Sequence, residues 1–281
     1  MNTLILACAI VLLEASLAGA LVARETARRT GALVSAVAVA LAATIGATAL
    51  LRIGLDLPRP WLDILLGAAM LPILVWTALM ARLAGRPSRW PSRSRMAVLP
   101  AAGLVFQAGL VLLGIGLLLS HFLRLDPLYP RALISPVVLA GLMAGGVAAA
   151  VAIFRAVLLG LRELARGDKA DPVALLRAGR LLRLGILARL VVIIMSVQVG
   201  MIADPIGPMH FLRALMEPNL FMARLFLGMM LPYIAALLAT DAVAREHAPD
   251  GALHFIPIGL LVLMGELIGA GMMVGTWGLS L

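Results

Sequence analysis

The chain has 281 residues, 63% of them hydrophobic and 13% charged, with a mean hydropathy of +1.07. Soluble domains contain about 45–50% apolar and about 25% charged residues, so a soluble enzyme is excluded and an integral α-helical membrane protein is expected. The net charge of +9 does not point to nucleic acid, because the arginines fall between apolar runs, where membrane topology accounts for them.

A membrane β-barrel would need segments of about ten residues that alternate polar and apolar, and none occurs. The single cysteine, Cys8, lies in the first apolar run and has no intrachain partner. Zinc or an iron–sulfur cluster would need a set of cysteines the chain does not have, so any cluster belongs to another subunit.

Eight apolar stretches are long enough to cross the hydrocarbon layer as helices: about 3–23, 32–51, 62–82, 97–121, 132–157, 181–203, 219–241 and 256–279. The expected architecture is an all-α integral membrane protein forming a single transmembrane domain, residues 1–281. It divides into a first four-helix bundle (1–123) and a second (124–281). The first stretch lacks a basic leader, carries Glu14 mid-run and has its arginines after it, so it is expected to be a true first helix rather than a signal peptide. The longest polar insertion is Leu161–Arg180, between the fifth and sixth stretches.

Basic residues set the orientation. The first loop holds Arg24, Arg28 and Arg29, and the third Arg86, Arg89, Arg93 and Arg95. The fifth holds Arg162, Arg166, Lys169, Arg177 and Arg180. The even loops carry far fewer, so the odd loops are expected to be cytoplasmic and both termini outside, in a bacterial cytoplasmic membrane crossed many times. On that topology Arg52–Asp63 (RIGLDLPRPWLD) forms a polar mouth on the outer side. A second proline-bearing loop, DPIGP at Asp204–Pro208, occupies the matching place in the second half and hints at an internal repeat. The small-residue runs Gly31–Ala49 and Ala140–Ala152 read as close helix packing.

Ionisable residues at membrane depth are costly and need a partner or a water-filled cavity. Glu14 lies mid-way along the first stretch and Glu266 mid-way along the eighth. Arg189 and Arg224 lie within the sixth and seventh. Counting about 1.5 Å of rise per residue puts Arg189 and Glu266 at similar depth, able to pair across the second bundle. Their pairing reads either as a structural lock between helices or as part of a proton path. Glu14 has no obvious cationic partner at its level, and its structural and functional readings stand even. Gln107 and Gln198, inside helices four and six, read as bridges between helices. The histidines, His121, His210, His247 and His254, all lie at or near span ends. His121 and His210 share the outer side, which leaves a haem b as the lesser alternative to an outer polar mouth shared with Arg59, Asp56, Asp126, Tyr129 and Asp204. No phosphate-cradling loop, protease motif or nucleophile–base arrangement stands out, and the 15 methionines are scattered as core filler.

Three segments carry a resemblance: SLAGALVA (Ser16–Ala23), LDLPRPWLDIL (Leu55–Leu65) and PIGLLVLMGELIG (Pro257–Gly269), with GPMHFLRALMEPN (Gly207–Asn219) in a similar vein. Together with the eight-helix layout, which covers nearly all of the chain, they resemble the membrane anchor subunits of molybdopterin oxidoreductases, both the polysulfide reductase (NrfD-like) and the dimethyl sulfoxide reductase types. The last segment departs from the pattern at Ala270, where the dimethyl sulfoxide reductase type carries arginine.

The resemblance implies a subunit that binds quinone (menaquinone or ubiquinone) near the surface facing an iron–sulfur subunit, with a molybdopterin-type catalytic subunit beyond. It implies Asp56 and Arg59 as quinone-binding residues; His121, Tyr129 and His210 are added as neighbours by the expected topology alone. Glu14 and Glu266, with Arg189, become candidates for proton transfer. The chain itself would hold no redox centre and no metal, and its partners would be protein, lipid and quinone. From other classes, a small-solute or ion transporter and a purely structural assembly subunit remain open.

Overall fold

The computed structural model describes residues 2–26, 30–55, 59–84, 93–125, 136–203, 209, 219–245 and 248–275. These form helices α1 (Asn2–Thr26), α2 (Thr30–Gly54), α3 (Arg59–Ala84), α4 (Arg93–Leu125), α5 (Pro136–Leu164) and α6 (Pro172–Ala203). The seventh span, α7, covers Leu220–Ala244. The eighth runs through α8 (Ala248–Leu253) and α9 (Phe255–Gly275). Eight helical segments are long and apolar enough to cross a membrane, and no strand occurs among the described residues. The chain is therefore an all-α, multi-pass membrane protein.

The innermost helix is α1, which packs against α2, α4, α5 and α9. Its apolar residues Leu6, Ile10 and Leu13 share one core with Leu51, Leu62, Leu110, Leu118, Met143 and Ala270, so this core crosses from the first half of the chain to the second. Contact with α2 runs through small residues. A methyl group added at Gly19 would stand 3.0 Å from the backbone N of Ala40 and 3.2 Å from the O of Ala36. That clearance gives the SLAGALVA run its physical sense: lipid offers no hydrophobic drive for helix association, so close van der Waals packing supplies it. A second core joins α5, α6, α7 and α9 around Ile153, Leu182, Ala236 and Ile258.

Two boundaries differ from expectation. The Leu161–Arg180 insertion is largely helical, because α5 runs on to Leu164 and α6 already starts at Pro172. Leu175, Ala178 and Leu182 are buried at helical spacing while Arg177 and Arg180 stay exposed, so the segment is an amphipathic extension rather than a loop. Between the two helices Glu163 is buried. Its carboxylate accepts from Arg166 Nη1 at 2.7 and 3.0 Å and from the backbone N of Asp171 at 3.0 Å, which fixes the short connection. Similarly, the connection expected between the stretches 219–241 and 256–279 shrinks, since α7 continues to Ala244 and α8 resumes at Ala248. Gly251 allows this tight hairpin, for a methyl there would lie 2.9 Å from the carbonyl of Ala239.

Gln107 bridges helices as expected: its Nε2 donates to Thr44 Oγ1 at 3.0 Å, and Thr44 Oγ1 donates to the carbonyl of Ala40 at 2.7 Å. Gln198, by contrast, is exposed on α6.

Two predictions test this packing. Replacing Gly19 with Leu should destabilise the fold by about 1–3 kcal/mol through overpacking. Gly116→Leu, at a position with open space around it, should leave the thermal midpoint in detergent unchanged. A double-mutant cycle of Thr44→Val and Gln107→Leu should return a coupling energy of about 0.6 kcal/mol, the usual size for an interhelical hydrogen bond in lipid, read from unfolding in mixed micelles.

Candidate functional site

Charged residues of α1, α6, α7 and α9 meet inside the spanning region. Glu14, Arg189, Arg224 and Glu266 are each at most 5% exposed. The Nη2 of Arg189 donates to Oε2 of Glu266 at 2.6 Å, the pair expected from counting helical rise. Glu14 lies within electrostatic reach of Glu266, Arg189 and Arg224. The expectation that it lacks a cation at its own depth is therefore corrected. Rise along a helix gives a level but not the neighbours, and the packing of α1 against α9 turns Glu14 toward charges of the second half. Measured from the same end of the bundle, Arg224 lies about 6 Å in from Leu220, Glu266 about 14 Å from Gly275, Glu14 about 18 Å from Asn2 and Arg189 about 21 Å from Ala203.

Local backbone features build this cluster. Asn219, in the left-handed region at φ 52°, leads into α7. After a short α-helical stretch, Leu220–Leu225, the chain widens into a π turn, Phe226–Met230, and returns to α-helix at Leu231. Pro232 explains the widening. Its missing N–H removes one rung of the ladder and its ring crowds the carbonyl of residue 228, a strain the wider turn relieves.

Inside that π turn Gly228 meets Gly265 of α9. A methyl on Gly228 would stand 2.7 Å from the Cα of Gly265. One helical turn further, a methyl on Gly269 would stand 2.5 Å from Cζ and 2.7 Å from Nε of Arg224. The segment Gly265-Glu266-Leu267-Ile268-Gly269 thus performs three tasks. Gly265 brings α7 close, Glu266 pairs with Arg189, and Gly269 makes room for the Arg224 guanidinium. On α6, Gly185 lets α5 approach, with a methyl there 3.2 Å from the backbone N of Ile153. Arg224, singled out from sequence as an intramembrane charge, joins the cluster, and the three glycines Gly228, Gly265 and Gly269 extend the site beyond the residues read from sequence. The small-x-x-x-small spacing of Gly265 and Gly269 is the signal that points to them.

Several polar atoms of the cluster are left over. Oε2 of Glu14 and both Nε and Nη1 of Arg189 are buried without a hydrogen-bond partner among the described residues.

The polar mouth expected at Arg52–Asp63 is only partly described. Arg52 and Asp63 form a two-point pair, Nε to Oδ1 at 2.7 Å and Nη2 to Oδ2 at 3.0 Å, which ties the end of α2 to the start of α3. Asp56, Tyr129 and His210 lie outside the described residues, as do Asp126 and Asp204. Arg59 opens α3 and His121 lies near the end of α4, in both cases with only the backbone described. Of the residues expected to serve a site, the structure brings together Glu14, Arg189 and Glu266. It carries no groups of three or more His, Cys, Asp or Glu suited to a metal among the described residues.

Removing one partner of a buried pair strands the other charge, at a cost of about 3–5 kcal/mol. Arg189→Ala should therefore lower stability by that order, while the double variant Arg189→Met with Glu266→Leu should recover most of it, as read from unfolding in mixed micelles.

No family model, curated protein or solved structure matches this chain.

Proposed function

We propose that the chain is the quinone-interacting membrane anchor of a multisubunit respiratory oxidoreductase in a bacterial cytoplasmic membrane. It exchanges electrons between the quinone pool and an iron–sulfur partner, which in turn serves a molybdopterin-type catalytic subunit. One observation carries the reading. One segment that resembles such anchors, Pro257–Gly269, supplies Glu266 and the glycines Gly265 and Gly269 to the buried charge cluster. A resemblance confined to packing positions would carry less weight.

The mouth suits a lipophilic two-electron carrier. A quinone site needs apolar walls open to lipid and a few polar groups at one end. Ile53, Trp61 and Ile64 are exposed beside the Arg52–Asp63 pair. Asp56 and Arg59 lie between them in sequence, and on this reading hold the quinone head group, with His121, Tyr129 and His210 nearby. Quinone supplies the electron and proton chemistry when bound. The chain's part is to orient the ring, exclude water and provide groups that exchange protons.

A small-solute transporter is the second reading. The π turn interrupting α7 beside buried charges favours it, because transporters place such interruptions at their binding sites.

Purification in mild detergent from the native membrane separates these. An iron–sulfur protein and extractable quinone in the product, without a haem Soret band, is the result expected of the anchor. A lone, quinone-free chain that takes up solute in proteoliposomes overturns it. A Soret band alongside partners keeps the respiratory role and turns attention to His121 and His210.

Orientation is tested separately with Cys8→Ala as background. Asp168→Cys, in the arginine-rich turn, should react with an impermeant maleimide only after permeabilisation, whereas Trp61→Cys should react in intact cells.

A further inference from the structure

Within the cluster the two carboxylates are not equivalent. Glu266 is held by Arg189 at 2.6 Å. Glu14 is just as deeply buried, yet its Oε2 accepts from nothing among the described residues. Glu163, the remaining buried carboxylate in the described part, has both oxygens satisfied by Arg166 and Asp171. A carboxylate oxygen without a donor in a water-poor interior is expensive. It can be relieved by a guanidinium donor or by binding a proton. Arg189 offers the first remedy, since its Nε and Nη1 are themselves without acceptors.

We infer that Glu14 is an intramembrane proton-binding site, and that Arg189 serves as its switchable counter-charge while Glu266 stays ionised. With Glu14 protonated, Arg189 bonds Glu266 alone, the arrangement seen in the structure. Loss of the proton leaves a carboxylate that draws the spare Arg189 donors, so the guanidinium is shared between two acids. The proton adds to Oε2 of Glu14 and leaves from the same atom, and both guanidinium groups remain charged throughout. The charged groups whose fields reach Glu14 are Arg189 from α6, Arg224 from α7 and Glu266 from α9. With two guanidinium groups against two carboxylates, the deprotonated cluster is neutral, and proton uptake leaves one excess positive charge. The inference goes beyond the quinone reading and holds equally for a transporter, so the two stand or fall separately.

Infrared difference spectroscopy of the purified protein in nanodiscs, recorded across pH in water and in heavy water, tests it. The wild type should show a protonated-carboxyl C=O band that is isotope-sensitive and disappears reversibly as pH rises. Glu14→Gln should abolish this band. Glu266→Gln should keep it but shift its loss to lower pH, because Arg189 then has only Glu14 to serve. A wild type with no such titrating band, or a Glu14→Gln variant that retains it, overturns the proposal. If Glu14→Gln does not fold, Glu14→Asp decides: a displaced band supports Glu14, and a band unchanged in frequency and midpoint rules it out.

Discussion

The pair between Arg189 and Glu266 constrains everything around it. Two charges in a medium with little water carry a heavy desolvation cost, and their attraction offsets it only at close range with the remaining lone pairs satisfied. The charges meet because α7 packs on both α6 and α9, by close approach of the helices. The glycines provide that approach. Gly228 and Gly265 touch, Gly269 yields space to Arg224, and Gly185 draws α6 onto α5. Any side chain larger than hydrogen at Gly228 or Gly265 would push α7 off α9 and with it move Arg224 relative to Glu266. Charge and clearance are thus one constraint rather than two.

The position of α1 follows from the same constraint. Glu14 would be intolerable facing lipid, and the helix that bears it is enclosed on four sides by α2, α4, α5 and α9. Its small residues, with Gly19 against Ala36 and Ala40, let the enclosure close on the α2 side. The opposite side carries Glu14 to the cations of the second half. The outermost helices show the complementary pattern: α3 leaves Leu71, Val75 and Trp61 exposed, as a helix bathed in lipid should.

Much of this was legible in the sequence and some was not, for identifiable reasons. Eight spans could be read because apolar run length is a one-dimensional quantity set by bilayer thickness. The Arg189–Glu266 pair was reachable because depth is also one-dimensional, and the count of helical rise placed both residues at one level. The surroundings of Glu14 were not reachable, since they depend on which helices are neighbours, a property of the packed bundle rather than of any segment. The beginning of α6 was misjudged by weighing its arginines and overlooking the spacing of Leu175, Ala178 and Leu182. The π turn could have been suspected from Pro232 with Gly228 four residues before it, but its consequence depended on Gly265 lying opposite. The mouth residues Asp56, Tyr129 and His210 are sequence readings that lie outside the described residues.

Charge balance connects the cluster to whatever the protein does. Arg224 lies only about 6 Å from the start of α7, whereas Arg189 is about 21 Å from the matching end of α6. The group therefore extends from the middle of the span toward one face. The charged groups whose fields reach Glu14 all belong to this set, while Val111, Ile115 and Met143 on α4 and α5 give α1 apolar neighbours. Arg189 can answer a change of charge at Glu14 by redistributing its donors between two acids. On the proposal that Glu14 binds a proton, that response moves charge along a line from the centre of the membrane toward the face that Arg224 approaches. Such a line would serve a quinone anchor that must match electrons with protons, and it would serve a transporter that must couple a solute to a proton. What separates the two is the occupant of the outer mouth, not the cluster.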